Sequence, residues 1–100
     1  MPSITKVKFN NRRYSVRLTN HSISRLRERG IEVNNLINTI HKLNFMELAE
    51  IEKENKEVAL IDYNYDYTMF IAFKEKVINI VTIIEGVNNY IKEGTKIFRI

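Results

Sequence analysis

One hundred residues, 44% hydrophobic and 10% aromatic, suffice for one modestly cored domain over residues 1–100 and exclude a disordered tail. Cysteine is absent and there are two histidines, which excludes disulfides, a thiolate nucleophile and a sulfur-based zinc site; no metal or cofactor is expected. The net charge of +4 is uneven, with eight Lys/Arg against one Glu in residues 1–30, three against eight acidic residues in 31–70, and five against three in 71–100. The basic first third predicts a polyanion partner, RNA or DNA, meeting one defined basic face; the plainer reading is a solvated surface.

Val7 and Phe9, then Tyr14, Val16 and Leu18, alternate with Lys6, Lys8, Arg13, Ser15 and Arg17. Period two with Asn10-Asn11 between the runs predicts a β-hairpin, apolar on one face and basic on the other. A helix is expected over 21–30, capped by Asn20 or Ser22 and closed by Gly30 in the left-handed conformation. A second helix is expected over 32–43, because Val33, Leu36, Ile37, Ile40 and Leu43 recur at helical spacing, with Asn44 as its stop. Residues 45–52 read as an edge strand, 53–56 as a charged turn, and 58–63, 67–73 and 77–84 as strands. The last (VINIVTII) is the most apolar run and is expected to be central and covered on both sides. Residues 95–100 are ambiguous, with a short extra strand as one reading. No apolar run reaches the length of a membrane span and no secretory leader is evident, so a cytoplasmic domain is expected. The order predicts an α+β class: an N-terminal hairpin and a two-helix hairpin packed on an antiparallel meander.

The stretch 21–31, HSISRLRERGI, carries the chemistry. On a helix, His21, Arg25 and Arg29 follow one another at i+4 and form one polar stripe opposite Ile23 and Leu26. Metal-free RNA cleavage needs proton-transfer groups and cations for the phosphorane charge. His21 supplies one proton-transfer group and the two arginines can clamp phosphate. Thr82, late in the last apolar run, can donate a hydroxyl hydrogen bond. Tyr63, Tyr65 and Tyr67 are candidates for a second proton shuttle or for stacking bases, although an ordinary phenol holds its proton too tightly to be a good base. The simpler assignment is that Tyr63 and Tyr67 pair across a hairpin. For Arg25 the simpler assignment is an ion pair with an acid of the sheet; for Arg29 it is service at a helix C-terminus. Arg13, Arg17, Arg25 and Arg29 are the expected RNA-binding set. A DNA-reading helix-turn-helix fits less well, since the second helix offers mainly Glu32, Asn34, Asn35, Asn38 and Lys42.

The pattern H-x3-R-x3-R-G-I, followed by an amphipathic helix, a meander and a strand ending I-V-T-I-I, resembles small bacterial and phage domains grouped with the RelE-like toxins. Those belong to the broader superfamily of barnase, EndoU and colicin-type ribonucleases. The resemblance covers about residues 16–84 and rests on His21, Arg25, Arg29, Gly30, Ile31 and Thr82. Glu32 departs from the usual Ser, Thr or Asp cap, and residues 86–100 extend the minimal domain. The resemblance implies a RelE-like fold more directly than an activity, since many RelE-like proteins are weak or inactive nucleases. The expected function is a toxin-type RNA-binding domain, with metal-independent endoribonuclease as its sharper form and His21, Arg25, Arg29 and Thr82 as the catalytic residues. The resemblance also implies partners such as an antitoxin or a host protein. The alternative on the same scaffold is a non-catalytic protein-interaction module, such as a phage-type inhibitor.

Overall fold

A computed structural model describes residues 3–9 and 12–100, with side chains from Tyr14 onward. Along the chain run β1 (Ser3–Phe9), β2 (Arg12–Leu18), α1 (Asn20–Arg29), α2 (Val33–His41), α3 (Phe45–Glu54), β3 (Val58–Asp62), β4 (Tyr67–Lys74), β5 (Val77–Glu85) and β6 (Ile97–Arg99). The class is α+β. The Asn10-Asn11 turn and the Arg13 side chain fall outside the described residues.

The strands form one sheet in the order β1-β2-β5-β4-β3-β6. β1 pairs antiparallel with β2, and β3, β4 and β5 pair antiparallel in succession. The sheet is nevertheless mixed, where a wholly antiparallel one is expected from the order of elements. β2 lies parallel to β5, and β6 parallel to β3. The reason is connectivity: three helices intervene between β2 and β3, so the chain returns to the sheet in the same direction, as a crossover requires. The C-terminal extension makes a second such connection and supplies β6.

Tyr14, Val16 and Leu18 of β2 are buried in a single cluster with Leu26, Leu36, Ile40, Leu48 and Ile51 of the helices. Val58 and Leu60 of β3, Tyr67, Met69, Ile71 and Phe73 of β4, Ile78, Ile80 and Ile83 of β5, Phe98 of β6, and Leu43 belong to the same cluster. All three helices therefore pack on one face of the sheet. Each fully buried aliphatic side chain contributes about 1.5–3 kcal/mol by leaving water. Ile23 and Ile37, on the apolar sides of their helices, and Phe70 and Val81, within the apolar strand runs, are only half-buried.

Residues 45–52 are helical, not an edge strand. Asn44, expected to stop α2, instead begins α3: its side chain accepts from the Glu47 N–H (2.8 Å) while the Glu47 carboxylate accepts from the Asn44 N–H (2.9 Å). That reciprocal pair is a capping box. Leu48 and Ile51, one turn apart, are buried, and Asn55 closes the helix in the left-handed conformation. No helix of the described residues is long and apolar enough to cross a membrane.

β5 is central, between β2 and β4, but not covered throughout on both sides; that description fits β3, whose five residues are all buried. A bulge interrupts β5: Phe70 faces Thr82 and Ile71 faces Ile80, leaving Val81 as the extra residue. The bulge lets Ile80 and Ile83 both point into the core and turns Thr82 to the opposite face.

Candidate nucleic-acid interface

The bulge also anchors α1. It presents two successive carbonyls, Ile80 and Val81, at the sheet surface. The Thr19 hydroxyl donates to Val81 O (2.7 Å) and the Ser22 hydroxyl to Ile80 O (2.8 Å). Thr19, rather than Asn20 or Ser22, is the N-cap: its Oγ1 accepts from the Ser22 N–H (3.1 Å). Ser22 is buried by this docking. At the other end Gly30 adopts φ 63° and its N–H donates to Leu26 O, which stops the helix where a side chain would strain it. Both ends of α1 are thus fixed, and with them the direction in which its polar stripe faces.

His21 is exposed on the first turn. Arg25, a turn further, forms an ion pair with Glu28 of its own helix (3.7 Å) rather than with the sheet. Arg29 pairs with Glu85 at the end of β5. The two carboxylate side chains remain 61% and 71% exposed, so both pairs sit in water. Arg29 and Glu85 also line a cavity of about 190 Å³ with Ile31, Tyr65, Asp66 and Tyr67.

Not all of the expected site residues converge. Thr82 lies on the sheet face away from the helices, opposite Phe70, and cannot join His21 around one phosphate. Arg17 alternates with the buried Val16 and Leu18 and is exposed on that same far face, in register with Asn79. It does not share a surface with Arg25 and Arg29. Along α1, His21 and Arg29 are two turns apart, about 12 Å at helical rise. The arrangement can hold phosphate oxygens at one or two points along the stripe, with one imidazole at its far end.

Behind the cavity lies a polar network that sequence reasoning missed. Asp62, at the end of β3, has no exposed surface. Its carboxylate accepts from Lys42 Nζ (2.9 and 2.7 Å), from the Thr39 hydroxyl (2.7 Å), and from the N–H groups of Asn64 (2.9 Å) and Tyr65 (3.0 Å). Burial alone would raise the carboxyl's pKa. The Lys42 ammonium, the Tyr65 N–H and the Thr39 hydroxyl outweigh it and hold Asp62 below its ordinary value. The buried Tyr67 hydroxyl meets that of Thr39 and donates to Asn35 O (3.0 Å). Burial pushes its phenol well above the usual range. Tyr65 completes the assembly: Asn38 Nδ2 donates to its hydroxyl (2.8 Å), Lys42 Nζ sits 5.0 Å from its ring centroid, and its ring lies 5.8 Å from that of Tyr67. The β3–β4 register pairs Tyr67 with Asp62, so Tyr63 and Tyr67 do not face each other across the hairpin.

The signal available in the sequence was Asp62 itself, a lone acid closing the apolar run VALI, followed by Asn64 at a turn. Nothing local indicated Lys42 and Thr39 as its partners.

Thus α1 presents an exposed imidazole and two arginines in surface ion pairs beside a braced aromatic turn; no protein-family model matches the chain, nor does any curated protein or solved structure.

Proposed function

We propose that this is a RelE-like domain that binds RNA through the α1 stripe, with Arg25 and Arg29 on phosphate and His21 beside them. The observation that carries the reading is the state of the two arginines. Each is held in place by one water-exposed carboxylate, Glu28 or Glu85. Exposed pairs of this kind contribute only about 0–1 kcal/mol, so a phosphate that offers a guanidinium two oxygens can take either arginine at little cost. The stripe is therefore prearranged for an anion without being committed to its present partners.

Binding is better supported than cleavage. A ribonuclease needs an acid and a base on either side of one phosphate. Thr82 is on the other face of the sheet, and Glu85 pairs with Arg29, two helical turns from His21. Metal-independent endoribonuclease activity remains the sharper proposal for His21. Its test is RNA cleavage with EDTA present, comparing wild type with His21→Ala, alongside a binding titration. Loss of cleavage with affinity kept within a few-fold assigns His21 to catalysis. RNA bound but left intact by the wild type restricts the domain to binding. A non-catalytic protein-interaction module, for an antitoxin or host protein, is favoured by one observation: both arginines already lie against carboxylates, as they would on an acidic protein surface. Failure to bind RNA at low salt selects that reading.

A further inference from the structure

The cavity beside Arg29 is lined by that one cation, by two acidic residues, Asp66 and Glu85, and by Ile31, Tyr65 and Tyr67. Its walls are fixed before any ligand arrives. Tyr65 is held at its hydroxyl by Asn38 and at its ring by Lys42. Asp66 is held through its backbone, its carbonyl accepting from the Gly86 N–H (2.8 Å). If a phosphate takes Arg29, it displaces the Glu85 carboxylate. Breaking that exposed pair costs little, but Glu85 and Asp66 then lie near the new anion on Arg29, and like charges at close range offset part of the gain. A ligand that carries N–H donors as well as a phosphate reduces that penalty, because the two acidic side chains can become acceptors for them. Tyr65 and Ile31 offer flat, partly apolar walls on which a planar ring can lie.

We propose that this cavity is a base-selecting pocket, in which Asp66 and Glu85 accept hydrogen bonds from the exocyclic amino group of a nucleobase whose phosphate sits on Arg29. The inference rests on the RNA-binding reading and deepens it. Carboxylates accept from the cytosine amino group, whereas uracil places a carbonyl oxygen at the same position, where it repels them. Cytidylate and uridylate share ring size and sugar and differ only along one base edge, at the 4-substituent and at N3, so the comparison confines the difference to that edge.

The test is a titration of labelled oligocytidylate and oligouridylate of equal length, against wild type and the Asp66→Asn/Glu85→Gln double variant. Asparagine tolerates the positive φ of 59° at position 66, and both side chains are exposed, so the fold should survive; the single variants serve if it does not. The wild type should bind the cytidylate about tenfold tighter, the discrimination expected of one good base-edge contact. The double variant should bring the two within about twofold and bind the uridylate more tightly than wild type does, since two negative charges are gone. Equal affinities in the wild type, or a preference that survives in the double variant, would overturn the pocket while leaving RNA binding intact. Binding of neither oligonucleotide overturns the RNA-binding reading and this inference with it.

Discussion

Two kinds of ion pair stand within a short reach of each other. Lys42–Asp62 is sunk into the end of the sheet, its carboxylate fully buried and surrounded by donors. Arg29–Glu85 and Arg25–Glu28 lie at the surface with their carboxylates mostly in water. A buried carboxylate that loses its cation keeps its desolvation cost, so the first pair is locked. An exposed pair exchanges its partner for water or phosphate with little change in free energy, so the others are open to competition. The same chemical interaction thus braces the β3–β4 turn in one place and leaves the proposed binding stripe open to other partners in the other.

Cutting the buried pair should have the largest effect. Lys42→Met keeps the aliphatic stem but strands the Asp62 charge, and should cost about 3 kcal/mol in urea unfolding. A cost near that of a surface substitution would mean that the turn is braced by Thr39 and the backbone alone. The pair also predicts an acid limb. Because the folded-state pKa of Asp62 is below its ordinary value of 3.8, its contribution is complete above about pH 4 and is lost as pH falls through the lower folded value. Asp62→Asn should flatten stability against pH in that window. Tyr67 acts at the opposite end. Its phenol is raised above the ordinary 10.0, so stability is lost as pH climbs past about 10, when the unfolded chain ionises first; Tyr67→Phe should remove that loss.

Docking of α1 on the bulge comes next. Thr19→Ala removes the N-cap and the donor to Val81 O together, and should cost about 1–2 kcal/mol in the same unfolding experiment. The smallest effect on stability is expected at the exposed pairs. Glu28→Gln should change unfolding by less than about 0.5 kcal/mol yet strengthen RNA binding measurably at low salt. If it destabilises as much as Lys42→Met, the contrast between locked and open pairs is wrong.

The sequence made α1 legible because a four-residue spacing, an apolar opposite side and a glycine stop all agree there. The strands at 58–63, 67–73 and 77–84 were legible from β-branched and aromatic runs between turns. Residues 45–54 were not. Their apolar and acidic residues fit either period, and Asn44 is as good a start as a stop until Glu47 is seen to close the capping box. The face of Thr82 was illegible because VINIVTII is apolar throughout and shows no alternation to reveal a bulge. The β2–β5 pairing joins distant residues through a crossover, and no local pattern encodes it. The candidate stripe could be read from spacing alone. Its partners Glu85 and Tyr65, and the brace of Lys42, Thr39 and Asp62 behind them, come together only through that long-range topology.

The central claim is that Arg25 and Arg29 exchange their carboxylates for RNA phosphate. Its most direct measurement is the dependence of RNA affinity on salt concentration for wild type, Arg25→Ala, Arg29→Ala and the double variant. Each lost phosphate contact should reduce the slope of log affinity against log salt by about one unit, and the double variant by about two. A slope unchanged in all three variants, with RNA still bound, would contradict the account and place the interface elsewhere on the domain.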